Sequence, residues 1–218
     1  VSVDSLRADR FARITRRGDL SRVLAGIEAA RAAWGDGAPV KINTVAVRGF
    51  NDDELADLAR FSWSRGMVPR FIEVMPMAAG ELFVPGELMP AAEIRRRIAD
   101  AIGSALVADD GAGVRGSGPA TYVRVATGEH AGARLGTIGA MTENFCAACN
   151  RVRLSATGQL HGCLANDAAG DLRGALRASG PNALDRVVHG VLGTKLEGHG
   201  FHLDGTGGPR KTMISIGG

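Results

Sequence analysis

An α/β fold with a parallel sheet is what this sequence predicts. Two runs rich in β-branched and apolar residues, KINTVAV and VPRFIEVMPM, each follow a segment whose apolar residues recur at helical spacing. The connections between them are short, as β-α-β-α-β units require. A third observation limits this reading to the front of the chain, because the pattern changes after Pro76.

VSVDSL reads as a first strand that ends in polar residues. A helix follows over DLSRVLAGIEAARAAWG, with Asp19 as N-cap and Leu20, Val23, Leu24, Ile27 and Ala30 on one face. PVKINTVAV is the next strand. NDDELADLARFSWSRG is the next helix, and Asn51 with Glu54 three residues later fits a capping box. VPRFIEVMPM is the third strand. The chain opens on Val1 in the middle of an apolar alternation, so further strands are expected upstream in a longer protein.

Residues 78–90 read as irregular, with Pro85 and Pro90, and PAAEIRRRIADAIG as one more helix. The glycine-rich stretch 109–119 is expected to be a flexible loop. TYVRVAT and ARLGTIGAM look like short antiparallel strands. VRLSATGQLHGCL reads as a hairpin turning at Thr157 and Gly158. DLRGALRASG and NALDRVVHGVLGTK are two closing helices.

Composition excludes little beyond the obvious. The 218 residues contain no run of about 18 apolar residues, which argues against a membrane span. A net charge of +3 is too small to argue for a nucleic-acid partner. Arginine dominates the basic residues; Lys41, Lys195 and Lys211 are the only lysines. VSVDSL lacks the basic start and apolar run of a secretory signal, and a cytoplasmic location is expected.

The chemistry gathers in NFCAACNRVRLSATGQLHGCLAN, which holds all 3 cysteines. Cys146 and Cys149 form CxxC, and Cys163 follows after thirteen residues. Three cysteines cannot pair off as disulfides. Metal binding fits the pattern better, and spacing alone leaves three readings open: zinc, an iron–sulfur cluster, or no metal. Zinc would take His161 as a fourth ligand. An iron–sulfur cubane held by three thiolates would keep one iron free for a substrate atom. Arg151 and Arg153 bear on the choice. On a strand they share a side, and two guanidinium groups beside a metal suit phosphate oxygens. His199 and His202 stand at HxxH spacing but read as an ordinary loop.

CxxCNRxR, the thirteen-residue gap, the following CL, and then DLRGALR resemble the molybdenum cofactor biosynthesis protein A family of GTP 3',8-cyclases. VSVDSL, KINTVAVRGFNDDE, RFIEVMPM, GSGPATYVRV and the terminal IGG are similar to that family in the same order. The resemblance implies a radical S-adenosylmethionine enzyme that converts GTP to (8S)-3',8-cyclo-7,8-dihydroguanosine 5'-triphosphate, the first step towards molybdopterin. As to fold, it implies that residues 1–77 are the C-terminal part of an incomplete TIM-type (βα)6 barrel. Residues 78–218 are then a small α+β region for cluster and GTP.

Carried over residue by residue, the resemblance makes Cys146, Cys149 and Cys163 the ligands of a 4Fe-4S cluster. Lys41, Arg151, Val152 and Arg153, with Asn150 beside them, fall where the family contacts GTP. Ser2 and Met75 fall where it contacts S-adenosylmethionine. The catalytic group is left unassigned, with Arg70, Gly217 and Gly218 as candidates. The glycine pair lacks side chains, so the chain end could thread a narrow gap beside substrate. A reductant and a homodimer are also implied. One departure is large: the CxxxCxxC loop that holds the family's other cluster does not occur in these residues. They are not expected to generate a radical alone.

Overall fold

The structure is a computed structural model. It describes all residues except 36–39, 81–82, 110–117, 179, 181, 217–218 and the side chain of Ile214. The expected glycine-rich loop therefore lies largely outside the described residues. Two compact units emerge, one formed by Val1–Val74 with Gly86–Glu143, the other by Met75–Pro85 with Asn144–Gly218.

The first unit is α/β. Its helices are α1 (Ala8–Thr15), α2 (Leu20–Trp34), α3 (Leu55–Trp63) and α4 (Ala91–Ile102), and its strands are β1 (Lys41–Ala46), β2 (Val68–Glu73), β3 (Leu106–Asp109), β4 (Thr121–Val125) and β5 (Arg134–Ile138). The strand order is β1-β2-β5-β4-β3. β1, β2 and β5 run parallel, while β4 is antiparallel to both β5 and β3. The sheet is therefore mixed. Val3, Ile27, Ile42, Leu58, Phe71, Ile94, Ile98 and Leu135 belong to its continuous apolar core.

Local chemistry explains much of this. Asp19 caps α2 as expected, its carboxylate accepting from the N–H groups of Ser21 at 2.9 Å and Arg22 at 3.4 Å. β1 and β2 alternate half-buried with buried residues along their whole length.

Two expectations need correction. VSVDSL is not a strand of its own; it makes an isolated parallel bridge, Ser2 to Asn43, along the free side of β1. No capping box opens α3, which starts at Leu55. Asn51 instead stitches a turn, accepting from Val47 N at 2.8 Å and donating to the carbonyls of Asp4 and Val45. Glu54, only 2% exposed, accepts from the Ser5 hydroxyl, Leu6 N and Arg10. The expected antiparallel pair β4–β5 does form, and it continues the front sheet, because β5 lies parallel beside β2. Lastly, α1 and β3 had no forecast at all.

Glu73 closes the end of β2. Its carboxylate is fully buried and accepts from Ala91 N, Met141 N and Thr142 N at 2.6, 2.6 and 2.9 Å, and from the Thr142 hydroxyl. One side chain thus satisfies the first turn of α4 and fixes the turn two residues before Asn144.

The second unit is smaller in its regular structure. β6 (Arg153–Leu154), β7 (Gln159–His161) and β8 (Gly170–Asp171) make an antiparallel sheet in that order. α5 (Leu172–Arg177) and α6 (Ala183–Gly193) follow, and α6 packs on β7 and β8. The expected hairpin is present, with Gly158 at φ 82° in its turn. Both closing helices form, though shorter than their sequence patterns. Among the described residues, no helix is long and apolar enough to cross a membrane.

Candidate functional site

The cysteine segment belongs to the second unit. Asn144 Oδ1 accepts from Cys146 N at 2.7 Å and starts a tight turn over Cys146–Ala148. That turn closes when Cys149 N donates to Cys146 O at 3.0 Å. β6 and β7 then fold back, pairing Arg153 with His161 and Leu154 with Leu160. Cys163 is thereby carried back beside the CxxC. All three cysteines are free thiols of intermediate burial.

The thiols sense one another. Burial pushes the Cys146 thiol up, and the neighbouring Cys163 and Cys149 push it further. Cys149 behaves differently. Burial raises it too, but the Arg151 N–H, the Arg151 guanidinium and Lys195 together bring it below the ordinary thiol range. Arg151 Nη2 lies 3.6 Å from Cys149 Sγ, and its guanidinium sits 5.2 Å from the centre of the Phe145 ring. Ala165 N donates to Cys163 Sγ at 3.3 Å.

A second set of basic groups lies about the β6–β7 pair. Arg153 is half-buried, and burial and then Arg151 weaken its hold on its proton. Lys211 Nζ stands 3.2 Å from His161 Nδ1 and donates to Cys163 O at 3.4 Å. Burial, and then Lys211, lower the His161 imidazole below its usual range. Its Nδ1 is engaged by an ammonium, an unsuitable neighbour for a metal-binding nitrogen. Among the described residues no three His, Cys, Asp or Glu side chains converge to hold one metal ion. His199 Nε2 is buried and has no partner there.

Three of the other candidates, Ser2, Lys41 and Arg70, belong to the first unit. Ser2, Asn43 and Arg70 are aligned across the sheet by the bridge and by the β1–β2 register. Arg70 Nε donates to Asn43 Oδ1 at 2.8 Å. Next in that row is Gly136, where a Cβ would come within 3.0 Å of Arg70 Cγ. Lys41 shares the half-buried face of β1 with Asn43, and burial and then Arg70 lower its ammonium. Met75 is half-buried in the second unit, and Val152 is exposed there. Gly217 and Gly218 lie outside the described residues.

Sequence reasoning assigned no site role to Lys195 or Lys211. A signal existed: two of the chain's three lysines end up against the cysteine hairpin.

Residues 67–201 match the family described as Molybdenum Cofactor Synthesis C. Over 206 residues the chain is 46% identical to the GTP 3',8-cyclase of Rhizobium meliloti (strain 1021), covering 94% of this chain and 56% of that relative. The GTP 3',8-cyclase of Rhodopseudomonas palustris (strain TIE-1) is likewise 46% identical over 206 residues, with the same coverage. That of Rhizobium etli (strain CIAT 652) is 44% identical over 207 residues, again covering 94% and 56%. The chain thus spans about half the length of the curated relatives it matches.

Proposed function

The chain belongs to the Molybdenum Cofactor Synthesis C family, and from that premise we propose that it serves a GTP 3',8-cyclase in molybdenum cofactor biosynthesis. In this reading GTP is closed to (8S)-3',8-cyclo-7,8-dihydroguanosine 5'-triphosphate by a radical derived from S-adenosylmethionine. Cys146, Cys149 and Cys163 would hold a 4Fe-4S cluster. Their donor set fits: three thiols within electrostatic reach of one another offer the thiolate ligands that a cluster takes. When bound, such a cluster supplies an iron with an open coordination position.

The chain's own residues would do the rest. Arg151 and Arg153 follow the ligand Cys149 and offer guanidinium forks to triphosphate oxygens. Asn150 and Val152 would line the same approach. In the first unit, taken by itself, Lys41 stays a candidate nucleotide contact, and Arg70, held by Asn43, stays a candidate catalytic group. Ser2 and Met75 would contact S-adenosylmethionine. Gly217 and Gly218 stay candidates for the chain end that reaches substrate.

We assign residues 1–77 to a partial (βα)6 barrel, supported by the parallel β1–β2 pair with α3 between them. Residues 78–218 take the cluster and GTP chemistry. A second cluster outside these residues, a reductant and a homodimer complete the proposal.

The observation that carries this reading is the contact of Arg151 with Cys149 Sγ, an anion-binding side chain laid against a thiol ligand. Anaerobic reconstitution tests it. The chain should turn brown and take up iron and sulfide in equal amounts. Arg151→Ala with Arg153→Ala should keep that iron and bind GTP at least about tenfold more weakly, as the loss of one charge-assisted hydrogen bond implies. A colourless protein carrying one zinc, or unchanged GTP affinity, would refute it.

A further inference from the structure

We propose that Lys195 is the positioning residue of the cysteine centre, tying the two arms of the hairpin together and setting the reduction potential of the cluster through Cys149. The inference rests on the cluster reading above.

A lysine ammonium has three N–H donors and no acceptor. Lys195 Nζ meets three acceptors: Arg151 O at 2.9 Å, Gly162 O at 2.9 Å and Cys149 Sγ at 3.8 Å. Arg151 lies on the arm that leaves the CxxC, and Gly162 on the arm that arrives at Cys163. One ammonium therefore joins the two arms next to the ligands each carries. Its donors are matched to this loop, so the side chain is committed to the hairpin rather than to a phosphate.

The backbone is built to bring it there. Lys195 follows α6, with its N–H on Leu192 O at 3.1 Å. For α6 to lie this close, the residue after β7 must lack a side chain. A Cβ at Gly162 would come within 2.7 Å of Val191 O and 3.5 Å of Lys195 Cγ. At Gly170, on β8, a Cβ would come within 2.7 Å of both Val187 and Val191. The two glycines let the helix deliver its lysine to the sulfur.

A positive charge and an N–H donor beside a ligating sulfur favour the reduced, more negative state of an iron–sulfur centre. Arg151 adds to the same sulfur from the solvent side, whereas Cys163 receives a neutral backbone N–H. Cys149 Sγ thus faces two charged side chains, whereas Cys163 Sγ faces a neutral amide.

Lys195→Met removes charge and donor, and Lys195→Gln removes the charge alone. The full 218-residue chain and both variants would be reconstituted anaerobically, assayed for iron and sulfide, and titrated electrochemically by visible absorbance. At the wild-type midpoint the reduced-to-oxidised ratio should fall about tenfold in Lys195→Met, a shift of about 59 mV for a one-electron couple. Lys195→Gln should fall between it and the wild type. Full iron with an unchanged midpoint in both variants overturns the inference. Loss of iron from both also overturns it, since the side chain would then serve folding alone. A wild-type chain that takes up no iron refutes the cluster reading instead, so the two failures are told apart.

Discussion

The sheet-bearing unit and the cysteine-bearing unit stabilise themselves by different means. In the first, Ile27, Ile42, Leu58, Phe71, Ile94 and Leu135 form one apolar core, and the buried carboxylates Glu54 and Glu73 are fully engaged by hydroxyl, N–H and guanidinium donors. In the second, the buried apolar residues include Leu160, Val191, Phe201 and Ile216, around strands of two or three residues. Close glycine packing and one lysine do work there that a core does elsewhere. A small apolar core leaves little net stability once chain entropy is met. The difference leads us to expect binding and folding to be coupled in the cysteine-bearing unit, if it holds the proposed cluster, and separate in the other.

The largest expected effect follows directly. Cluster loading should protect residues 144–218 from protease and leave the front unit unchanged. A cluster present at a thousand times its dissociation constant would add about 4 kcal/mol. Limited proteolysis of loaded and chelator-stripped chain, read by mass spectrometry, checks this. Equal cleavage of the cysteine unit in both states would break the comparison.

Glu73→Ala should come next, and in the opposite unit. It strands three N–H groups and a hydroxyl in a buried place. The expected loss is about 3 kcal/mol, seen as an earlier urea midpoint for the front unit. A loss below about 1 kcal/mol would mean that this turn relaxes and that the core alone sustains the unit.

The smallest effect is a pH dependence in the front unit. Arg48, and then Arg97, hold the Glu93 carboxyl down at about 2, despite the opposing cost of burial. A lowered folded-state value stabilises the fold above the ordinary carboxylate range and loses that contribution as pH falls towards 2. These side chains are partly solvated, so Glu93→Gln should cost about 1 kcal/mol or less near neutrality. The gap between variant and wild type should narrow between about pH 4.5 and pH 2. A gap that stays constant across acid unfolding curves would remove the ion pairs from the account.

Much of the fold was legible because it is written in adjacent residues. Asp19 before an apolar helical stripe, the alternation of β1 and β2, and a turn glycine between β6 and β7 are all local. The misses share one cause. Asn51 looks like a cap until Val47, Asp4 and Val45 surround it. ADRFARIT carries too few apolar residues to stand out, yet Phe11 buries itself and the helix forms. The candidate site divides the same way. Cys146, Cys149, Cys163, Arg151 and Arg153 fall in eighteen consecutive residues. Lys195 lies 46 positions from Cys149, and nothing in KLEGH points to a sulfur.

Sequence alone determined the chemistry on offer: which residues can ligate, which can bind an anion, and which segments prefer helix or strand. Those are properties of side chains and of short-range backbone preference. Tertiary structure decided which strand edges meet, which turn Glu73 seals, and which of three lysines reaches Cys149. Such choices depend on contacts between distant residues, where packing and the pairing of buried polar groups outweigh local preference.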